Sequence, residues 1–223
     1  MNSDGLPTQS GDTMTTLTRD DYKWAFDPYA YLNAFYSSPV DDSAMTMVLS
    51  LLPTIAARLP HCQRLLDIGS GPTVHVPVVF RKKVDEIYLS DYLPQNRELL
   101  RKWLRNGEPF DWSEIVEAKT KVQSVLDCDV LSPQVIESID IAMEYSQALS
   151  NVIRLLKIGG YLVLGGILSE TWYQFGGRRF GCYLLLESEL FSVLSQCGMD
   201  TREKHLIYYN HCDVFLLITK RIV

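Results

Sequence analysis

The stretch Leu65-Leu66-Asp67-Ile68-Gly69-Ser70-Gly71-Pro72-Thr73 decides how this chain is read. The run Arg64 to Ile68 reads as a short apolar β-strand, and Gly-Ser-Gly-Pro-Thr breaks it. In open α/β sheets, ligands bind beyond the C-terminal ends of such strands. Gly69 and Gly71 carry no Cβ, so their backbone can approach a ligand closely. Pro72-Thr73 suits the first turn of a following helix, whose free N–H groups and partial positive charge then face the crevice. A dinucleotide fingerprint is G-x-G-x-x-G, but its third glycine position is Val74. A D-x-G-x-G loop suits a smaller anion, the carboxylate of an amino-acid moiety.

Outward from this loop, short β-rich runs alternate with helical patterns, which predicts βαβ units on a parallel sheet. Val74 to Lys83 reads as a crossover helix, and Glu86 to Ser90 as a second strand ended by Asp91. A helix is expected from Pro94 to Arg105, with Leu99, Leu100, Trp103 and Leu104 on one face. A third strand follows at Ser124 to Asp129. The strongest helical pattern is Glu144 to Leu156, where Tyr145, Leu149, Val152, Ile153 and Leu156 share a face before Gly159-Gly160. Tyr161 to Leu164 reads as a strand, Thr171 to Cys182 as an irregular excursion, and Leu186 to Cys197 as a helix. Strands at His205 to Tyr209 and Val214 to Thr219 close the chain. Met1 to Asp20 is a polar stretch expected to be a disordered leader, and residues 21–223 one domain with an N-terminal cap at 21–60. One stretch does not add up. The sheet needs a fourth strand, at best Ile139 to Ala142, and only Val130 to Ser138 is left for a crossover of a dozen or more residues.

Composition narrows the function classes. A hydrophobic content of 47 % with 22 % charged residues is that of a globular protein rather than a disordered one. No apolar run reaches the roughly 18 residues of a spanning helix, so no membrane partner is expected. A net charge of −6 and a pI of about 5.2 disfavour nucleic acid, since Arg178-Arg179 is the best basic cluster. The five cysteines are widely spaced with no C-x-x-C pair, so neither zinc nor another metal is expected. They suit free thiols in a reducing cytosol, and a cytoplasmic monomer is the expectation.

Two further carboxylates complete the site pattern. Asp91, ending the second strand, is placed to accept hydrogen bonds from ribose hydroxyls. Asp129, ending the third, is placed to meet an adenine amino group. With Asp67 and the glycine loop, they describe a pocket for a nucleoside joined to an amino acid.

These residues, with others, resemble the nicotinamide, phenylethanolamine and indolethylamine N-methyltransferases. The likeness runs from about Asp21 to the C-terminus. It is carried by Phe26-Asp27-Pro28-x-x-Tyr31-Leu32-x-x-x-Tyr36, Asp67-Ile68-Gly69-Ser70-Gly71-Pro72-Thr73 and Asp91-Tyr92-x-x-x-Asn96. Phe110-Asp111-Trp112, Cys128-Asp129-Val130 and Leu156-Lys157-x-Gly159-Gly160 continue it. A bare D-x-G-x-G is shared by many methyltransferases, whereas the F-x-P-x-x-Y-L segment before it is far more restrictive. The resemblance implies a Rossmann-like class I α/β fold. It would have a mostly parallel seven-stranded sheet, a C-terminal antiparallel strand and an N-terminal helical cover. It implies S-adenosylmethionine (SAM) as cofactor, with S-adenosylhomocysteine (SAH) as product, and a small nitrogenous acceptor. Tyr31 and Tyr36 would lie on the cover, Tyr36 near the methionine carboxylate. Gly69, Ser70, Gly71, Thr73 and His75 would surround the methionine part. Asp91, Tyr92 and Asn96 would hold the ribose, and Asp129 with Val130 the adenine. Tyr173 would stack on the acceptor ring, with Tyr31, Glu170 and Cys182 around it.

The chain departs from the family pattern in places. His75 stands where nicotinamide enzymes carry a tyrosine. Gly166 replaces the strand-end acid that faces the acceptor in several relatives, leaving Glu170 as the nearest carboxylate. The stretches near Glu117-Ala118 and between Glu137 and Tyr145 are shorter than in relatives, as though residues of a complete chain were absent there. The acceptor expected is a pyridine-type heterocycle such as nicotinamide. Arylalkylamine methylation and non-catalytic SAM binding stand as the alternatives.

Overall fold

The computed structural model describes residues 14–36, 43–106, 121–127, 141–202, 206–211 and 213–223. Strands β2 (Cys62–Ile68), β3 (Val84–Asp91) and β4 (Val122–Asp127) form a parallel sheet in that order. Their register sets Asp67 beside Leu89 and Asp91 beside Asp127, so the strand ends share one edge. The central strand β3 is buried at Val84, Ile87 and Leu89, as a strand covered on both faces must be. Helix α5 (Pro94–Asn106) buries Leu99, Leu100 and Trp103, the face its spacing predicts.

The second sheet has the order β5-β9-β8, from β5 (Tyr161–Ile167), β8 (Ile207–His211) and β9 (Val214–Lys220). Both pairings are antiparallel, so the C-terminal strand β9 runs reversed between two strands of common direction. Helices α6 (Ile141–Arg154) and α7 (Glu187–Gln196) pack Leu149, Ile153, Leu190 and Leu194 onto Phe215 and Leu217. A further apolar cluster ties the sheets together. It joins Leu52 and Ile55 of α3 (Ser43–Arg58), Phe80 of α4 (His75–Phe80), and Leu216 and Ile218 of β9.

Residues 14–20, expected to be the end of a disordered leader, are instead structured. Strand β1 (Thr16–Leu17) pairs in parallel with β7 (Arg178–Gly181), and α1 (Arg19–Ala25) follows at once. The excursion Thr171 to Cys182 is likewise regular. It is a hairpin of β6 (Trp172–Phe175) and β7, turning at Gly176-Gly177 with φ of 56° and 68°. A two-residue hairpin turn of this kind needs positive φ at both positions, which a Gly-Gly pair supplies. Helix α2 (Pro28–Tyr36) starts where Asp27 Oδ1 accepts the N–H groups of Tyr29 and Ala30, with Pro28 in the first turn. The cap and hairpin share one aromatic core of Phe26, Phe175 and Phe180, packed with Tyr22, Tyr31 and Tyr173.

The expected seven-stranded sheet is not continuous among the described residues, whose strands fall into three three-stranded sheets. Ile141 and Ala142, assigned to a fourth parallel strand, open α6. The i, i+4 series Ile141, Tyr145, Leu149 continues a helical period that overrides the β-branched look of Ile139 to Ala142. The crossover helix spans His75–Phe80 rather than Val74 to Lys83, because the Lys83 N–H turns back to Phe80 O at 2.8 Å. The short stretches near Glu117-Ala118 and between Glu137 and residue 140 lie outside the described residues. No helix among the described residues is long and apolar enough to cross a membrane.

Candidate active site

The loop after β2 is fastened to the end of β3. Ser70 N donates to Ser90 O at 2.9 Å, Ser90 N donates to Ser70 Oγ at 3.2 Å, and Thr73 Oγ1 donates to Ser70 O at 2.8 Å. Gly69 and Gly71 adopt φ of 72° and 60°, the left-handed region that favours glycine. A Cβ at either would meet nothing within 4 Å, because both border an open cavity. That cavity, of about 460 Å³, is also lined by Arg19, Tyr22, Phe26, Tyr31, Asp91, Tyr92, Leu93, Asn96, Tyr173 and Gly181. It therefore brings together Tyr31, Gly69, Gly71, Asp91, Tyr92, Asn96 and Tyr173, all singled out from sequence and drawn from both ends of the chain.

Asp91 is buried and heavily engaged. Its Oδ2 accepts from Gly71 N at 2.8 Å, and its Oδ1 from Leu93 N at 2.8 Å and Asn96 Nδ2 at 3.1 Å. A carboxylate has about four acceptor positions, so one is left for a ligand hydroxyl rather than the two expected. The second comes from Asn96, whose buried Oδ1 has no hydrogen-bond partner among the described residues. A vicinal diol would satisfy both. The other oxygen orphaned among the described residues is Asp67 Oδ2, also out of solvent. Burial pushes the Asp67 carboxyl up to about 6, the nearby Asp91 charge adds to the shift, and a Ser70 hydrogen bond opposes it. Asp67 does not itself border the cavity, whose wall on this side begins at Ile68 and Gly69. The glycine cradle, the remaining acceptor position of Asp91 and the orphaned Asn96 oxygen thus fit a molecule that carries a ribose, as SAM does.

Tyr36 and His75 form a partly buried pair beside the loop. Their rings stack at 5.8 Å, and Tyr36 Oη lies 3.5 Å from His75 Nδ1. Burial lowers His75 to about 4, so its imidazole is neutral near pH 7. Burial, with Tyr31 beside it, drives the Tyr36 phenol well above its ordinary value, and both stay uncharged. Neither borders the cavity, so they support the loop and the cover from behind.

On the other wall, Tyr173 is half-buried, stacked on Phe180 at 5.6 Å and 24°, with the Tyr22 ring tilted beside it at 6.5 Å. Tyr22 Oη donates to Gly181 O at 3.0 Å, which fixes α1 to the hairpin. Glu170 is exposed, and Cys182 is exposed with its Sγ toward Glu170 O at 3.6 Å; neither borders the cavity. Strand β4 is described as far as Asp127, and Asp129 and Val130 lie outside the described residues. Sequence reasoning missed Arg19, Tyr22 and Phe26, although their spacing of three and four marks one helical face. It also missed Gln95, whose Nε2 donates to Lys23 O and Phe26 O at 3.2 Å and ties the cap to α5. Among the described residues, no cluster of His, Cys, Asp and Glu could hold a metal ion.

The profile of the NNMT/PNMT/TEMT family matches residues 14–122 and 136–222. The chain belongs to that family. It is 34 % identical to the nicotinamide N-methyltransferase of Caenorhabditis elegans, covering 91 % of each chain. It is 30 % identical to the indolethylamine N-methyltransferase of Oryctolagus cuniculus, covering 82 % of this chain and 86 % of that one. The first alignment runs over 249 positions although this chain has 223 residues, so that relative carries internal segments this chain lacks. The fold is also that of the magnesium protoporphyrin IX methyltransferase of Synechocystis PCC 6803, solved with bound SAH. There the TM-score is 0.58 at 14 % identity, over 91 % of this chain and 97 % of that one. The protein is accordingly a class I SAM-dependent N-methyltransferase.

Proposed function

We propose that this enzyme methylates the ring nitrogen of a small aromatic heterocycle of the pyridine type, nicotinamide being the model acceptor. The observation that carries this reading is the shortage of a base. The large cavity is walled by the rings of Tyr22, Phe26, Tyr31, Tyr92 and Tyr173, and Asp91 is the one carboxylate among its described lining residues. Asp91 is committed to Gly71, Leu93 and Asn96. An alkylammonium acceptor would arrive protonated and need a carboxylate both to offset its burial and to take its proton. A pyridine nitrogen is already neutral, with its lone pair available.

SAM, when bound, supplies a methyl group activated by its sulfonium. The chain's own work is then alignment and exclusion of water, and ordering two reactants is worth several kcal/mol of barrier. Asp91 with Asn96 would take the ribose hydroxyls of the cofactor. Tyr31 and Tyr173 would fix the acceptor ring. Their faces also suit the pyridinium cation that forms, since an aromatic face attracts a nearby cation. The test is the pH dependence of turnover at saturating SAM. With a pyridine acceptor, kcat should stay flat above the acceptor's own pKa, because no enzyme base takes part. A rate that climbs with a further ionisation of the enzyme would contradict the reading.

A further inference from the structure

Helix α1 (Arg19–Ala25) supplies Arg19 and Tyr22 to the wall of the large cavity, with Phe26 directly after it. It has seven residues, too few to hold a helix by itself, so its place depends on what grips it. The last carbonyls of a helix have no partner within it, and here neighbouring elements supply donors. From the hairpin, Arg178 Nη1 donates to Ala25 O, and Tyr22 Oη reaches back to Gly181 O at 3.0 Å. From α5, Gln95 Nε2 donates to Lys23 O and Phe26 O, each at 3.2 Å. Tyr22 O lies 3.5 Å from the same nitrogen.

Gln95 sits where it can tie α1 to the cavity floor. A side-chain amide has two N–H donors, and the two nearer carbonyls take both. Its neighbour Asn96 donates to Asp91 Oδ1 at 3.1 Å, and Arg97 Nη1 donates to Asp91 O and Tyr92 O at 2.8 Å. The first turn of α5 is therefore pinned to Asp91 and Tyr92, which line the cavity, and Gln95 carries that anchorage across to α1. Arg19 and Lys23 of α1 add cations over the Tyr92 ring, at 5.0 and 4.9 Å. Gln95 does not border the cavity, so it acts on a bound molecule only through α1.

We propose that Gln95 is a positioning residue whose amide latches α1 across the cavity and sets how slowly SAH leaves. The proposal goes beyond the choice of acceptor and holds for either class of nitrogen. It rests on the cofactor occupying the large cavity. With the amide in place, α1 must break two amide–carbonyl bonds before the cavity opens on the α5 side. Without it, that side is left to the contacts with Tyr92.

The experiment loads the enzyme with radiolabelled SAH, chases it with excess unlabelled SAH, and compares wild type with Gln95→Met and Gln95→Glu. Methionine keeps the length of the side chain and removes its donor. Glutamate keeps the shape but turns a carboxylate toward carbonyls at the negative end of a helix. Gln95→Met should speed SAH release about tenfold, the worth of about one net neutral hydrogen bond. Gln95→Glu should speed it further. Tryptic cleavage after Lys23, followed by mass spectrometry on the ligand-free proteins, should quicken in the same order. A merely structural glutamine would lower Tm and leave release alone. Equal SAH release in wild type and Gln95→Met therefore overturns the proposal, whatever the Tm, and this variant decides if Gln95→Glu does not fold. Faster cleavage after Lys23 with unchanged release also overturns it, since α1 would then loosen without holding SAH in. Neither result bears on the pyridine reading, which is tested by the acceptor alone.

Discussion

Replacing Asp67 by asparagine should stabilise the ligand-free enzyme near pH 8. Asp67 is partly buried, its Oδ2 is out of solvent with no partner among the described residues, and its carboxyl is pushed up from 3.8 to about 6. Because the folded-state value is the higher one, the folded state holds the proton more tightly than the unfolded chain. Stability is therefore lost as pH rises from about 4 to about 6, and the loss persists above that. A shift of about two units corresponds to about 3 kcal/mol, an upper bound. The new side-chain amide leaves an N–H in the place of the orphaned oxygen, which gives back about 1–2 kcal/mol. The net gain at pH 8 is about 1–2 kcal/mol, or roughly 2–8 °C in Tm for a chain of this size. Melting curves of both ligand-free proteins from pH 5 to pH 8 measure it. The gain should shrink toward pH 5. An Asp67→Asn protein less stable than wild type at every pH would refute the reasoning.

His75 acts in the opposite direction: its value is depressed to about 4, so stability is lost as pH falls below 6.5. His75→Gln should flatten that acid limb in chemical denaturation and leave the pH profile of turnover between about 6 and 8 unchanged. Asp91→Ala removes the acceptor of three internal hydrogen bonds as well as a cofactor contact. Calorimetry should show SAH affinity reduced by more than about tenfold together with a lower Tm. Gly166→Asp should cost about 1–3 kcal/mol through overpacking against Phe215, and the added Phe215→Leu should recover most of it. Glu170→Gln, altering an exposed side chain, should change kcat/KM for a pyridine less than twofold.

The glycine loop and Asp91 of the candidate site are legible in the sequence because their chemistry is local. Asp67, Gly69 and Gly71 fall within five residues, and the strand-end position of Asp91 follows from the βαβ rhythm. What a residue does with its hydrogen bonds is not legible. Asp91 spends three acceptor positions on the protein, and the free oxygen of Asn96 emerges only from that geometry. Thr171 to Cys182 reads as irregular because its Gly-Gly turn looks like loop filler. The parallel pairing of Thr16 and Leu17 to that hairpin is a long-range contact without any local signal. Gly166 shows the same limit: its meaning depends on Phe215, the residue paired with it across β9.

The central claim is methyl transfer to an aromatic ring nitrogen. The direct measurement gives the purified enzyme methyl-labelled SAM with equimolar nicotinamide and phenylethylamine in one vessel, and assigns the label by mass spectrometry. The account predicts label predominantly in the N-methylpyridinium product, with SAH formed in equal amount. Label confined to the methylated amine, or SAM left unconsumed with both acceptors present, would contradict it.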